Sequence, residues 1–180
     1  MAKIITVGAA IQDVFLSQSD ALTPVCESPE HCFARLDLGA KADVNQIHFS
    51  TGGGATNAAV PFSRQGHYVS FMGAIGHDPA GQAVIADLDK ENIDTHLVRY
   101  SPKYSTGYSV LLLASNGERT ILTYRGASTH YHEADFDLSE EDADWLYVST
   151  LAGNMPMLHK LFQQAKRRDM KICFNPGKRE

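Results

Sequence analysis

Hydrophobic positions alternate or cluster along this chain in short runs, and the runs change period in a regular order. Ile4-Ile5-Thr6-Val7 is a β-branched run that predicts a buried strand, with Gly8-Ala9-Ala10 as a tight exit. Residues 19–31 are polar and interrupted by Pro24 and Pro29, which predicts a loop or irregular insertion. Phe33–Leu36 and Val44–Phe49 alternate as strands do, across a turn at Asp37–Asp43. Ala55, Ala58, Ala59 and Phe62 fall at i, i+3, i+4 and i+7, the stripe of a helix that opens at Gly52-Gly53-Gly54 and stops at Gly66. Tyr68–Met72 then reads as a strand. Asp78 caps a helix with Pro79 in its first turn, and Ala80, Val84, Ile85 and Leu88 form its inward face.

The second half continues the alternation. His96–Arg99 is a short strand, and Tyr108–Leu113 and Arg119–Tyr124 form a hairpin across Asn116-Gly117, with the apolar run from Val110 in the core. Trp145–Ser149 is a strand, and a helix starts at Asn154-Met155-Pro156 with Leu158, Leu161, Phe162 and Ala165 facing inward. Met170–Phe174 returns to strand. Strands separated by helices predict right-handed β–α–β units around a largely parallel sheet, and the two hairpin regions predict a smaller β element beside it.

Composition narrows the class. With 180 residues and 43% hydrophobic content the chain has material for one substantial core. The formal charge of -5 argues against a nucleic-acid partner, and no apolar run is long enough for a membrane helix. Lys166-Arg167-Arg168 reads as basic charge at a helix C-terminus. Cys26, Cys32 and Cys173 are odd in number and lack metal-like spacing, so free thiols in a reducing, cytoplasmic compartment are expected; the start MAKIITVG enters a strand without a secretory signal.

Candidate chemistry centres on the glycines. Three glycines before a helix serve either a tight packing turn or a ligand loop, and the segment is neither GxxxxGK[ST] nor GxGxxG. Asp13 follows the first strand, where a carboxylate either caps a turn or accepts hydrogen bonds from a ligand at the sheet's carboxyl end. His48 reads as a partly buried strand histidine, Tyr108 as a packing aromatic, and His130-Tyr131-His132-Glu133 as a solvated loop rather than a metal centre.

Over a longer span, Gly53, Gly54, Ala55, Asn57, Gly66 and Gly76, followed by Gly76-His77-Asp78-Pro79-Ala80-Gly81, resemble the N-terminal signature of the PfkB, or ribokinase-like, carbohydrate kinases. Thr106-Gly107, Arg125-Gly126-Ala127 and the strand leading to Asn175-Pro176-Gly177-Lys178-Arg179-Glu180 extend the similarity. The resemblance implies a three-layer α/β/α fold with a mainly parallel sheet and a small β lid, the C-terminal part of the fold being absent. Residues 1–180 would then form the N-terminal portion of one kinase domain, with lid strands within 32–50 and 106–124. The family transfers the ATP γ-phosphoryl group to a sugar or nucleoside hydroxyl, using ATP and Mg²⁺ and a later GAGD-like segment that supplies the base and an anion hole.

Nothing in the chain matches that later segment, so no catalytic base, nucleotide site or metal ligand is assigned and the chain alone is expected to be inactive. The resemblance makes Asp13, Gly53, Gly54 and Asn57 the acceptor-binding candidates. Asp13 would bind hydroxyls, the glycines would permit backbone contact, and Asn57 would donate and accept hydrogen bonds. Ribokinase tends to carry a lysine where this chain has Gly54, which moves the reading away from ribose; a sugar is favoured over a nucleoside. A lid-mediated homodimer is the expected partner. A noncatalytic sugar-binding or oligomerisation module and an inert truncated fragment are the alternatives, and an exposed sheet edge is expected.

Overall fold

A computed structural model describes residues 1–28 and 31–178; Pro29, Glu30, Arg179, Glu180 and the side chain of Glu133 lie outside the described residues. In chain order the strands and helices are β1 (Lys3–Val7), β2 (Ile11–Ser17), β3 (Val25–Ser28), β4 (His31–Phe33), β5 (Gln46–Gly52), α1 (Gly54–Arg64), β6 (Tyr68–Met72), β7 (Ala74–Gly76) and α2 (Pro79–Lys90). They continue with β8 (Ile93–Asp94), β9 (Arg99–Ser101), β10 (Gly107–Leu113), β11 (Arg119–Tyr124), β12 (Trp145–Val148), α3 (Met155–Arg167) and β13 (Lys171–Phe174). The chain divides into two compact units. The first comprises residues 1–12, 51–107 and 125 onward, and the second residues 13–50 and 108–124.

The first unit is built on a five-stranded sheet in the order β13-β12-β1-β6-β8, with every neighbouring pair parallel. Alternation along the strands sends Ile5, Val7, Met72, Leu146 and Val148 to one face, where Met157, Leu158, Leu161 and Ala165 of α3 cover them. Val69 and Phe71 point to the other face, against Ala55 and Ala59 of α1 and Val84 and Leu88 of α2. The result is three layers, with α1 and α2 on one side of the sheet and α3 on the other. Both expected caps form: the Asp78 carboxylate accepts from Gly81 N–H at 2.8 Å, and the Asn154 side chain accepts from Met157 N–H at 3.2 Å. Pro61 sits inside α1, so the Asn57 carbonyl four residues earlier has no N–H to receive.

Two expectations are corrected in this unit. Of the strand placed at His96–Arg99, His96–Val98 is instead a turn after β8, and only Arg99 is in a strand, as the first residue of β9. Thr95 O receives Val98 N–H, and the Asp94 carboxylate receives His96 N–H, so local hydrogen bonds outcompete a ladder there. The segment around Tyr131 is not simply a solvated loop. It forms 3-10 turns at Gly126–Thr129 and Glu133–Asp135, and Tyr131, Phe136 and Leu138 are core residues. The exposed edge that was expected is β13, three of whose four residues are exposed.

The second unit contributes to a four-stranded sheet ordered β11-β10-β2-β5. β10 and β11 pair antiparallel, with Tyr108 opposite Tyr124 and Leu113 opposite Arg119, as the Asn116-Gly117 turn predicts. Of the apolar run from Val110, only Leu111 is fully buried, and every residue of β11 is exposed. The segment read as an irregular loop contains β3, which pairs antiparallel with β4, so that Cys26 and Cys32 lie opposite one another and form a disulfide; of the strand expected at Phe33–Leu36 only Phe33, the end of β4, is in one. The expectation of three free thiols therefore holds only for Cys173. Two cysteines directly opposite in a hairpin bring their side chains within bonding range, a relation that spacing six residues apart does not reveal. His48 is exposed rather than partly buried, its ring 5.9 Å from that of Phe15.

Candidate functional site

Gly53, Gly54 and Asn57 come together at the start of α1. β5 ends at Gly52, and Gly53 turns the chain with φ +112°, a backbone region that side chains disfavour. A Cβ at Gly53 would lie 2.2 Å from the Ala9 carbonyl oxygen, and one at Gly54 would lie 2.0 Å from Ser149 Oγ. Ala9 follows β1 and Ser149 follows β12, so the paired glycines seat the first turn of α1 against the carboxyl ends of two adjacent parallel strands. That is where open α/β sheets hold ligands.

The local bonds fix this turn. Thr56 Oγ1 donates to Gly52 O at 2.7 Å, and Asn57 N–H donates to Gly53 O at 2.9 Å to begin the helix. Ala55 and Ala59 are fully buried, whereas Asn57 is exposed and presents its amide outward. The first-turn N–H groups of α1 have no intrahelical acceptor and are oriented to receive an oxygen.

Asp13 belongs to the second unit. It lies on β2, half-buried, and burial pushes its carboxyl above the usual aspartate range, partly offset by a hydrogen bond from Ser109. Ser109 on β10 is itself buried and lies opposite Thr123 of β11, with hydroxyl oxygens 3.4 Å apart. Asp13, Ser109 and Thr123 thus form a polar stripe across the sheet, whose carboxylate can accept hydrogen bonds from hydroxyl groups.

The second half of the glycine signature builds a structural knot. Asp78 Oδ1 accepts from Thr106 Oγ1 at 2.7 Å as well as from Gly81 N–H, and Oδ2 accepts from Thr106 N–H at 2.8 Å. Thr106 Oγ1 in turn receives Gly76 N–H at 2.9 Å. Desolvation would raise the Asp78 carboxyl, but the bonds from Thr106 and Gly81, with His77 nearby, hold it below the usual range. Gly76 and Gly81 are required by this packing, because a Cβ would stand 2.6 Å from Asp78 Oδ2 at the first and 2.5 Å from Gly76 O at the second.

Ser109, Ser149 and Thr106 were absent from the sequence-derived site. Ser149 closes a recognisable strand, and that position was its one visible signal. Two cavities of about 440 Å³ each lie elsewhere. One, in the second unit, is lined by Phe33, Leu112 and Arg119 among others; the other, in the first unit, by Arg99, Tyr104 and His130 among others. None of Asp13, Gly53, Gly54 or Asn57 lines either.

Known proteins resemble this chain in sequence and fold. A 5-dehydro-2-deoxygluconokinase of Clostridium botulinum is 30% identical over 142 residues, which span 72% of this chain and 40% of that protein. A fructokinase of Vibrio alginolyticus is 28% identical over 134 residues, 72% of this chain and 44% of the relative. The crystal structure of a ribokinase from Cryptococcus neoformans in complex with ADP superposes with a TM-score of 0.70 at 22% identity, over 98% of this chain and 50% of that one. It shares the α/β three-layer architecture with its small antiparallel lid. The chain spans about half the length of the relatives it matches. The model of the pfkB family carbohydrate kinases matches residues 3–178, nearly end to end, and the chain belongs to that family.

Proposed function

We propose that this chain is the acceptor-binding portion of an ATP-dependent kinase that phosphorylates a hydroxyl of a sugar, in preference to a nucleoside. The observation that carries the proposal is the seating of the Gly53-Gly54 turn against the Ala9 carbonyl and Ser149, at the carboxyl ends of β1 and β12. Asp13 accepts hydrogen bonds from acceptor hydroxyls, the turn at Gly53 and Gly54 brings backbone N–H groups to the acceptor, and Asn57 both donates and accepts. ATP and Mg²⁺ serve whole family members. Among the described residues no group of three or more His, Cys, Asp or Glu side chains is placed to hold a metal ion. The phosphoryl-transfer base is assigned to none of these residues, so the chain alone binds acceptor without turning it over.

Calorimetric titration of the 180-residue chain with a panel of hexoses, pentoses and nucleosides tests this reading, with Asp13→Asn and Asn57→Ala alongside. Sugar binding weakened about tenfold or more by either substitution supports it, since a hydrogen bond to a charged group contributes about 1.5–3 kcal/mol. Binding without dependence on Asp13 or Asn57 refutes the site, and a folded chain that binds no acceptor is the inert fragment. ATP-dependent product formation by the length-verified chain refutes the predicted inactivity. Exposed Ile47 and Phe49 on β5 and Ile121 and Leu122 on β11 support lid-mediated self-pairing, which sedimentation at increasing concentration reads directly. A cytoplasmic location belongs to the same proposal and is read by cell fractionation.

A further inference from the structure

The first unit holds a cavity of about 440 Å³ whose chemistry the acceptor reading does not use. It is lined by the segment Arg99–Tyr104, by His130, His132 and Asp135, and by Ala74 of β7. Among the described lining residues, Arg99 and Lys103 outnumber the carboxylates, of which Asp135 is one, in a chain whose formal charge is -5. The cavity is therefore cationic against the sign of the whole molecule.

The cationic groups are positioned and only partly occupied. Arg99 is held by its Nε–H, which donates to the Asp135 backbone carbonyl at 2.9 Å, and Nη1 makes a long contact of 3.5 Å to His96 O. The guanidinium has five N–H donors, so most remain for a ligand. Lys103 forms no ion pair with a described carboxylate, and its Nζ stands 5.2 Å from the centre of the Tyr104 ring. Tyr104 stacks on His130 with ring centres 3.6 Å apart. His130 Nδ1 is 2.9 Å from Gly126 O, so Nδ1 carries the proton and Nε2 is left for other partners. Aromatic faces, a fork of N–H donors and an ammonium around a space of this size match a small dianion attached to a compact body.

We propose that this cavity binds a small phosphomonoester. Its position gives the ligand neighbours in two motif segments. Tyr100, which also lines the cavity, stacks on His77, the residue before Asp78, with centres 4.7 Å apart, and His130 is tied to Gly126, which follows Arg125. Occupancy consequently orders the segments that carry His77 and Gly126.

Calorimetry and amide chemical shifts on the 180-residue chain at low ionic strength provide the test, with a hexose 6-phosphate, a nucleoside 5′-monophosphate and inorganic phosphate as probes. At least one phosphate probe is expected to bind, to weaken as salt is raised, and to shift the amides of residues 99–104 and 126–132. Lys103→Gln and His132→Gln, both at exposed positions, are expected to weaken it by on the order of tenfold, whereas Lys171→Gln leaves it unchanged. Inorganic phosphate separates this site from the acceptor reading, because it carries no sugar hydroxyl for Asp13 to bind. Tightest binding of the hexose phosphate, the nucleotide or free phosphate identifies which source supplies the shared group. No binding by any of the three, or binding indifferent to both cavity substitutions, overturns the proposal.

Discussion

Replacing Asp78 with alanine is expected to loosen the first unit at one place, the junction of α2 with the segment entering β10. Three hydrogen bonds converge on the carboxylate, from Gly81 N–H, Thr106 N–H and Thr106 Oγ1–H. Loss of the helix cap alone costs about 0.5–2 kcal/mol. Thr106 is 2% exposed, so its N–H and hydroxyl lose a charged acceptor where water does not easily replace it, adding about 1–3 kcal/mol. Because the carboxylate is itself partly exposed and the terms share one group, about 3 kcal/mol is the expected total. Asp78→Asn keeps one oxygen for capping but loses the charge, and about half that cost is expected.

The pH dependence gives the sharper assay. The folded carboxyl lies below its ordinary value, so its contribution to stability is complete above an unfolded pKa of about 4 and disappears as pH falls through the lower folded value. Urea unfolding of the native chain and Asp78→Ala at pH 7 and near pH 3 therefore shows a gap that narrows on acidification. Amide exchange at Gly81 and Thr106 accelerates in the variant. A loss under about 0.5 kcal/mol at pH 7, or a gap independent of pH, refutes the reasoning.

Three further outcomes follow from named geometry. Gly53→Ala is expected to cost about 3 kcal/mol or more by thermal melting, because a Cβ meets the Ala9 carbonyl at positive φ; Gly39→Ala, at φ +82° with nothing within 4 Å, costs about 1–2 kcal/mol, and equal losses would refute the contrast. Pro61→Ala restores an N–H opposite the Asn57 carbonyl and is expected to stabilise the protein by about 1–3 kcal/mol in urea, a destabilisation counting against the reading of α1. Thiol titration of the unfolded, unreduced chain is expected to find the single free thiol of Cys173, and three after reduction; three before reduction refutes the Cys26–Cys32 bond.

The parts legible in the sequence are those whose cause is local. Ala55 and Ala59 at helical spacing, Asp78 and Asn154 at helix starts, and Asn116-Gly117 between alternating runs carry their signal within a few residues, and each forms as expected. The glycine signature marked the start of α1 for the same reason. What it did not reveal is why each glycine is there, because the opposing atoms come from far along the chain: Ser149 for Gly54 and Thr106 for Gly76 and Gly81. Asp13 could be placed after the first strand, but its partner Ser109 arrives from β10. The β3–β4 hairpin was illegible because its polar, exposed residues have no hydrophobic period, and Tyr131 because one buried ring among histidines makes no pattern.

The strand order also governs how the chain reaches this state. β1 is made before β6 and β12 and lies inside the five-stranded sheet, paired with β6 on one side and with β12 on the other. Its first neighbour is complete at Met72 and its second only at Val148. At roughly 5–20 residues per second of synthesis, several seconds separate the two events. During that interval Ile5 and Val7 have no α3 to cover them, and the β1 edge is open to any extended segment. Ile4↔Trp145 pairing spans most of the chain, so closing it is entropically slow, and the nascent protein depends on that edge being shielded until β12 emerges.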